Sequence, residues 1–115
     1  MFAKMIVTTV KFGFNIEISR EERIHVLVKV FANLRQICGG VTVDVQPDGD
    51  RVIDVLDKMI DMFPPLKDEI FTEKKELLPF VHVYVNGRNI IHLDDMETKV
   101  VESDQFALFP PVAGG

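Results

Sequence analysis

The sequence predicts an α+β domain, a mixed sheet of about five strands with one main helix packed across a face. Three observations carry this. Strict apolar–polar alternation recurs in short runs, first at Ile24 to Phe31 and again at Val41 to Val45. A single stripe of apolar residues at helical spacing follows, from Val52 to Phe63. Beyond it lies Asn86-Gly87 between apolar runs, a strong hairpin signal.

The elements follow in order. In the first run Ile24, Val26, Val28 and Val30 face one way, and His25, Leu27, Lys29 and Phe31 the other. The all-branched set is the better core face. Ala32 to Cys38 reads as a turn or short helical wrap, and Gly39-Gly40 as a tight reversal. Val41, Val43 and Val45 then alternate with Thr42 and Asp44 as a second strand. Pro47-Asp48-Gly49-Asp50 is a turn, and Asp50 is the expected N-cap of the helix. Val52, Val55, Leu56, Met59, Ile60 and Phe63 form its apolar stripe, with Asp54, Asp57, Lys58 and Asp61 on the solvated side. Pro64-Pro65 ends it, because Pro64 disfavours helical geometry at Phe63. Leu66 to Pro79 is a charged connection with a helical turn near Leu66 to Phe71. Phe80 to Val85 is a strand, and Arg88 to Leu93 returns as a short one. Asp94 to Asp104 is polar and turn-rich, with Val100 and Val101 as a small anchor. Phe106 to Phe109 is the last strand, and Pro110-Pro111 ends sheet pairing. Strand, strand, helix, strand, short strand, strand is the order of the β-grasp, or ubiquitin-like, arrangement.

Composition narrows the function. The chain has 115 residues, which suits one folded domain, and 47% of them are hydrophobic. A net charge of −5 argues against a general nucleic-acid binder, which needs a basic face. No apolar run approaches the ~20 residues that a bilayer span requires, so no membrane partner is expected. Cys38 is the lone cysteine. It excludes an intrachain disulfide and agrees with a cytoplasmic location. His25, His82 and His92 lie far apart in sequence, and no metal site is expected. Asp94-Asp95 and the helix carboxylates read as a turn and a solvated face.

Near the C-terminus the residues become specific. Val83-Tyr84-Val85-Asn86-Gly87-Arg88-Asn89-Ile90, then Leu93-Asp94, then Phe109-Pro110-Pro111-Val112-Ala113-Gly114-Gly115 closely resemble the MoaD family, the small subunit of molybdopterin synthase. Val30-Phe31-Ala32-Asn33-Leu34-Arg35 is similar to that family's first strand and turn. The related thiamine sulfur carriers share the Gly-Gly end but usually lack the Phe-Pro-Pro approach. The resemblance divides the chain into an N-terminal extension (1–23), a β-grasp domain (24–109) and a C-terminal diglycine tail (110–115).

The resemblance implies a sulfur carrier rather than an enzyme. An adenylating enzyme of the MoeB or ubiquitin-activating type would use ATP to adenylate Gly115, and sulfur would then replace the adenylate as a thiocarboxylate. The tail would enter the MoaE-like large subunit of molybdopterin synthase, which holds the catalytic residues and builds the dithiolene of the molybdenum or tungsten cofactor. No permanently bound cofactor is implied. Archaeal relatives also join the same glycine to lysine side chains as protein modifiers. Such roles need a terminus that fits a narrow active site. Gly114 and Gly115 lack a Cβ, so enzyme walls can close on the backbone. Pro110-Pro111 supplies an extended stem. The residues from Pro110 to Gly115 span roughly 20 Å when extended. Val112 and Ala113 complete the segment that a partner would contact. Alternation also places Phe109 opposite Phe106 and Leu108; if those two are buried, Phe109 is an exposed anchor for a partner. Phe31 reads equally as core or as partner contact.

The extension departs from the family, whose members often begin near the first body strand. Val10, Phe12, Phe14, Ile16 and Ile18 alternate with Lys11, Gly13, Asn15 and Glu17, the pattern of a half-buried strand or, bent at Gly13, a hairpin. It could supply an edge strand, pair two copies as a homodimer, or reflect an upstream start codon.

Overall fold

Valine at every second position sets the first strand. The computed structural model describes residues 24–111. In it β1 (Val26–Val30) buries Val26, Val28 and Val30 completely and turns Leu27 and Lys29 outward. The branched face is the core face, as the sequence predicts. The expected strand or hairpin within residues 1–23 lies outside the described residues.

After β1 the chain wraps into α1 (Leu34–Cys38), which buries Leu34. Gly39 ends it in the left-handed region at φ 77°, and the N–H groups of Gly39 and Gly40 both donate to the Arg35 carbonyl at 2.9 and 3.0 Å. This closure costs glycine little and would strain any residue with a Cβ. The chain returns as β2 (Thr42–Val45), antiparallel to β1 with Val26 opposite Val45. Val43 and Val45 are buried, while Val41 is exposed.

Helix α2 (Val52–Met62) buries Val52, Val55, Leu56 and Met59, and Ile60 and Phe63 pack partly buried against the same core. It begins one residue later than expected: Arg51, not Asp50, is the N-cap. Asp50 is drawn into a neighbouring segment instead. Its carbonyl accepts from the Val100 N–H at 2.8 Å, and its carboxylate pairs with Lys99 at 3.3 Å. Asp54 does the capping from inside the helix. Its Oδ2 accepts from the Arg51 backbone N–H and from Arg51 Nε, each at 3.0 Å, and its Oδ1 accepts from Nη2 at 3.1 Å. Arg51 Nη1 reaches Glu97 at 2.9 Å. These bonds tie the start of α2 to the Asp95–Glu97 turn. A Cβ on Gly49 would collide with the Asp54 carboxylate, so this arrangement also needs a glycine there.

Phe63 leaves helical geometry at φ −134°, ψ 80° ahead of Pro64. Helix α3 (Leu66–Ile70) is the expected helical turn and buries Leu66 and Ile70. Strand β3 (His82–Val85) is shorter than predicted at its start. Phe80 sits at φ 70° and is 76% exposed, so it belongs to a turn. Asn86 and Gly87, at φ 53° and 81°, make the tight reversal into β4 (Arg88–Asn89). The return strand stops there rather than at Leu93. The Asn89 side chain accepts from the Ile91 N–H and caps a 3₁₀ turn (Ile90–His92) that buries Ile90. Of the expected anchor in the next loop, Val100 is buried and Val101 is exposed.

Strand β5 (Phe106–Phe109) runs parallel to β1 and antiparallel to β3. The five-stranded sheet therefore has the order β2-β1-β5-β3-β4. One face carries the helices and the core. The other carries Leu27, Lys29, Thr42, Tyr84, Ala107 and Phe109, and it forms an open groove.

Two outcomes follow. Hydrogen bonds from Arg51 hold the Asp54 carboxyl below the usual carboxylate range. A depressed folded-state value contributes stability that is complete above the unfolded value of about 4 and is lost as pH falls through the folded value. Asp54→Asn should therefore lower the melting temperature at neutral pH, and the gap from the native chain should close on acidification; a gap constant with pH refutes the linkage. Phe80→Asn should raise the melting temperature, since asparagine tolerates positive φ and little buried surface is lost. A gain of about 1 kcal/mol in chemical denaturation is expected.

Candidate functional site

The last strand positions the site. Phe106 and Leu108 are buried against the helices, which sends Ala107 and Phe109 to the outer face. The parallel register pairs Val30 with Leu108 and so brings Phe31, the next residue, beside Phe109. Their rings stack with centroids 4.2 Å apart and planes 9° apart. Tyr84 meets Phe109 edge-on at 5.4 Å and 74°. On the far side the Arg35 guanidinium lies 5.3 Å from the Phe31 ring centroid, and its Nε donates to the Val30 carbonyl at 3.0 Å. Arg35, Phe31, Phe109 and Tyr84 thus form one continuous row across the end of the sheet. Stacked, edge-on and cation–π contacts each add roughly 0.5–1.5 kcal/mol beyond area burial, so the row is a stiff platform.

The chain leaves the sheet at this platform. Because β5 is parallel to β1, its C-terminal end lies at the end of the sheet where Phe31 and α1 lie. Pro110 is buried and Pro111 is exposed. The predicted contacts Val112 and Ala113 and the predicted working residues Gly114 and Gly115 lie outside the described residues. Of the other predicted site residues, Phe31 and Phe109 meet at the platform, Pro111 is exposed beyond it, and Pro110, expected as a partner contact, is instead buried in phase with Phe106 and Leu108. Both phenylalanines are half-buried on the outer face. Phe31 was open between core and surface; it belongs to the outer face.

Two members of the row were not anticipated, Tyr84 and Arg35. Tyr84 was legible, since it sits between the inward Val83 and Val85 and must point outward. Arg35 was not, because its position depends on how α1 folds back over β1.

The platform offers apolar area flanked by the cations Lys29 and Arg35, which suits docking of a protein surface. The histidines do not converge. His25 Nδ1 lies 3.1 Å from Asp44 and its Nε2 3.1 Å from Gln46, whereas His82 contacts Asn89. Among the described residues no group of three or more His, Cys, Asp or Glu side chains could hold a metal ion. No described helix is long and apolar enough to cross a membrane. Burial pushes the Cys38 thiol up, away from the reactive thiolate form.

This fold and this exit point can be compared with known proteins. Residues 28–115 match the model of the ThiS family. The chain belongs to the ThiS family. Small archaeal modifier protein 1 from Haloferax volcanii is 35% identical over 88 residues, covering 76% of this chain and 97% of that protein. The solution structure of small archaeal modifier protein 1 from Methanosarcina acetivorans superposes with a TM-score of 0.69 at 40% identity, covering 82% of this chain and 99% of that one. A molybdopterin converting factor subunit 1 from Pyrococcus furiosus superposes at 0.60 with 29% identity, covering 77% and 99%. The ThiS-family fold is thus the ubiquitin-like β-grasp the sequence predicted, and the family comprises small ubiquitin-like sulfur carriers and modifiers.

The stacking makes a measurable claim. Phe31→Ala and Phe109→Ala should each lower stability, and the double variant should lose less than the sum, with a coupling of about 1 kcal/mol. Additive losses in a denaturation cycle would show that the rings do not support one another.

Proposed function

We propose that the chain is a sulfur carrier of the cytoplasm whose working group is the carboxylate of Gly115. It would serve molybdopterin formation as the small subunit of molybdopterin synthase. The observation that supports this most directly is the exit of the chain at the aromatic platform. Pro110 is seated in the fold and Pro111 is exposed, so the chain passes to the surface beside a platform suited to a protein partner.

The chemistry asks little of the carrier. A carboxylate is a poor electrophile because it would have to expel an oxide. On an adenylating partner, a Gly115 carboxylate oxygen attacks the α-phosphorus of ATP and pyrophosphate leaves. A sulfur nucleophile then attacks the acyl carbon and AMP leaves, giving a thiocarboxylate once the sulfur is freed from its donor. The large synthase subunit would take up the tail and consume this sulfur. Phe31, Phe109, Pro111, Val112 and Ala113 would make the partner contacts, Gly114 would let the active site close, and all acid–base groups would belong to the partners.

A second reading is favoured by the names of the relatives, two of which are small archaeal modifier proteins. In it an amine of a target lysine, rather than sulfur, attacks the activated carbonyl of Gly115 and an amide forms. Intact-mass analysis of the chain purified from its own cells separates the two. Sulfur in place of one terminal oxygen supports the carrier, and lysine-linked adducts support the modifier.

Removal of Gly114 and Gly115 should abolish ATP-dependent adenylation while leaving the melting temperature unchanged. A truncated chain that still supports molybdopterin formation would overturn the proposal.

A further inference from the structure

Leu78-Pro79-Phe80-Val81 forms the turn that leads into β3, closed by the Val81 N–H donating to the Leu78 carbonyl at 3.1 Å. Proline followed by a residue at positive φ is the pattern of a type II turn, whose third position favours glycine or asparagine. Here that position holds Phe80, at φ 70° and 76% exposed. Its backbone is strained, and its ring gains little from its own domain. Ile91 is in a similar situation on the turn after β4. The Asn89 cap that buries Ile90 leaves Ile91 61% exposed.

Phe80, Ile91, Leu77 and Met96 line one open groove of about 450 Å³, together with Glu76 and Asp95. Three of the five non-glycine residues at positive φ among the described residues, Lys75, Phe80 and Asp95, line this groove. Strained backbone of this kind gathers at sites that clamp a ligand. The charge there is one-sided. Lys75 is engaged by Asp57 at 2.8 Å, and His82 Nδ1 lies 3.2 Å from the Asn89 side-chain amide. Glu76 and Asp95 have no side-chain partner among the described residues. Two uncompensated carboxylates thus stand beside exposed apolar side chains. His82 pairs with Phe109, so the groove lies at the end of the sheet where the chain leaves β5. It is on the flank away from Phe31, and no residue of the aromatic platform lines it.

We propose that this groove docks a basic segment of a partner protein. The segment places an apolar side chain against Phe80 and Ile91 and sets lysine or arginine against Glu76 and Asp95. The apolar contact supplies affinity, and the charges select the partner and speed encounter. A second copy of the chain suits the groove less well. Its net charge is −5, and a two-fold contact through this patch would bring the same carboxylates together. The surface is independent of the reading of Gly115, since it uses neither the tail nor the platform.

NMR titration of the full chain tests this with a capped five-residue peptide of alternating arginine and leucine. The control peptide has glutamate in place of arginine. The basic peptide should shift the Leu77, Ile91 and Met96 amides saturably, and the acidic one should not. Phe80→Asn relieves the turn and keeps the fold, and it should weaken binding at least about tenfold, as loss of a central apolar contact does. Glu76→Gln combined with Asp95→Asn should weaken binding about fivefold and flatten its salt dependence. Equal binding of both peptides, or unchanged affinity in Phe80→Asn, overturns the proposal. So do shifts of these amides on simple dilution of the native chain, which would place a second copy in the groove.

Discussion

The placement of β5 between β1 and β3 is the constraint on which the rest depends. The last strand of the domain is its central strand, so the sheet cannot be completed until nearly the whole chain is present. Its inward residues Phe106 and Leu108 fill the core under α2, and the same alternation commits Phe109 to the other face. Burial on one side thus creates the aromatic platform on the other. The parallel register with β1 then decides which residue Phe109 meets, and brings Phe31 to it across more than half the chain.

A second tie holds the helix in place over that sheet. Arg51 links the first turn of α2 to Glu97, while the Val52 N–H donates to the Thr98 carbonyl at 2.9 Å. The long loop between β4 and β5 is thereby fastened to the start of α2. Thr98, the one buried polar side chain among the described residues, joins in through its hydroxyl, which accepts from the Asp94 N–H at 3.0 Å. The segment holds only short 3₁₀ turns, at Ile90–His92 and Asp95–Glu97, and is fixed to the domain by these hydrogen bonds and by buried Ile90 and Val100.

Much of this was legible in the sequence, for a physical reason. Every main element has one buried face, so its period appears in the residue pattern. That holds for Val26, Val28 and Val30, for the α2 stripe and for Phe106 and Leu108. The hairpin at Asn86-Gly87 was legible because few residues accept positive φ at both turn positions. The errors fall where long-range contacts override local preference. Asp50 is the better cap by residue type, yet the Lys99–Val100 segment claims it. Ile90 and Ile91 look like a strand, yet the Asn89 side chain turns the backbone after it. At the site, period alone set Phe109 opposite Phe106 and Leu108 but not which face is buried, and the contact between Phe31, Phe109 and Arg35 depends on strand order, which no local pattern encodes.

The central position of β5 has a mechanical side. A load applied at Pro111 along β5 acts on a strand bonded on both flanks, to β1 and to β3. Ladder hydrogen bonds lie across that axis, so such a load shears many of them together instead of peeling them one at a time. The domain therefore resists a pull at that end as one body instead of fraying from it.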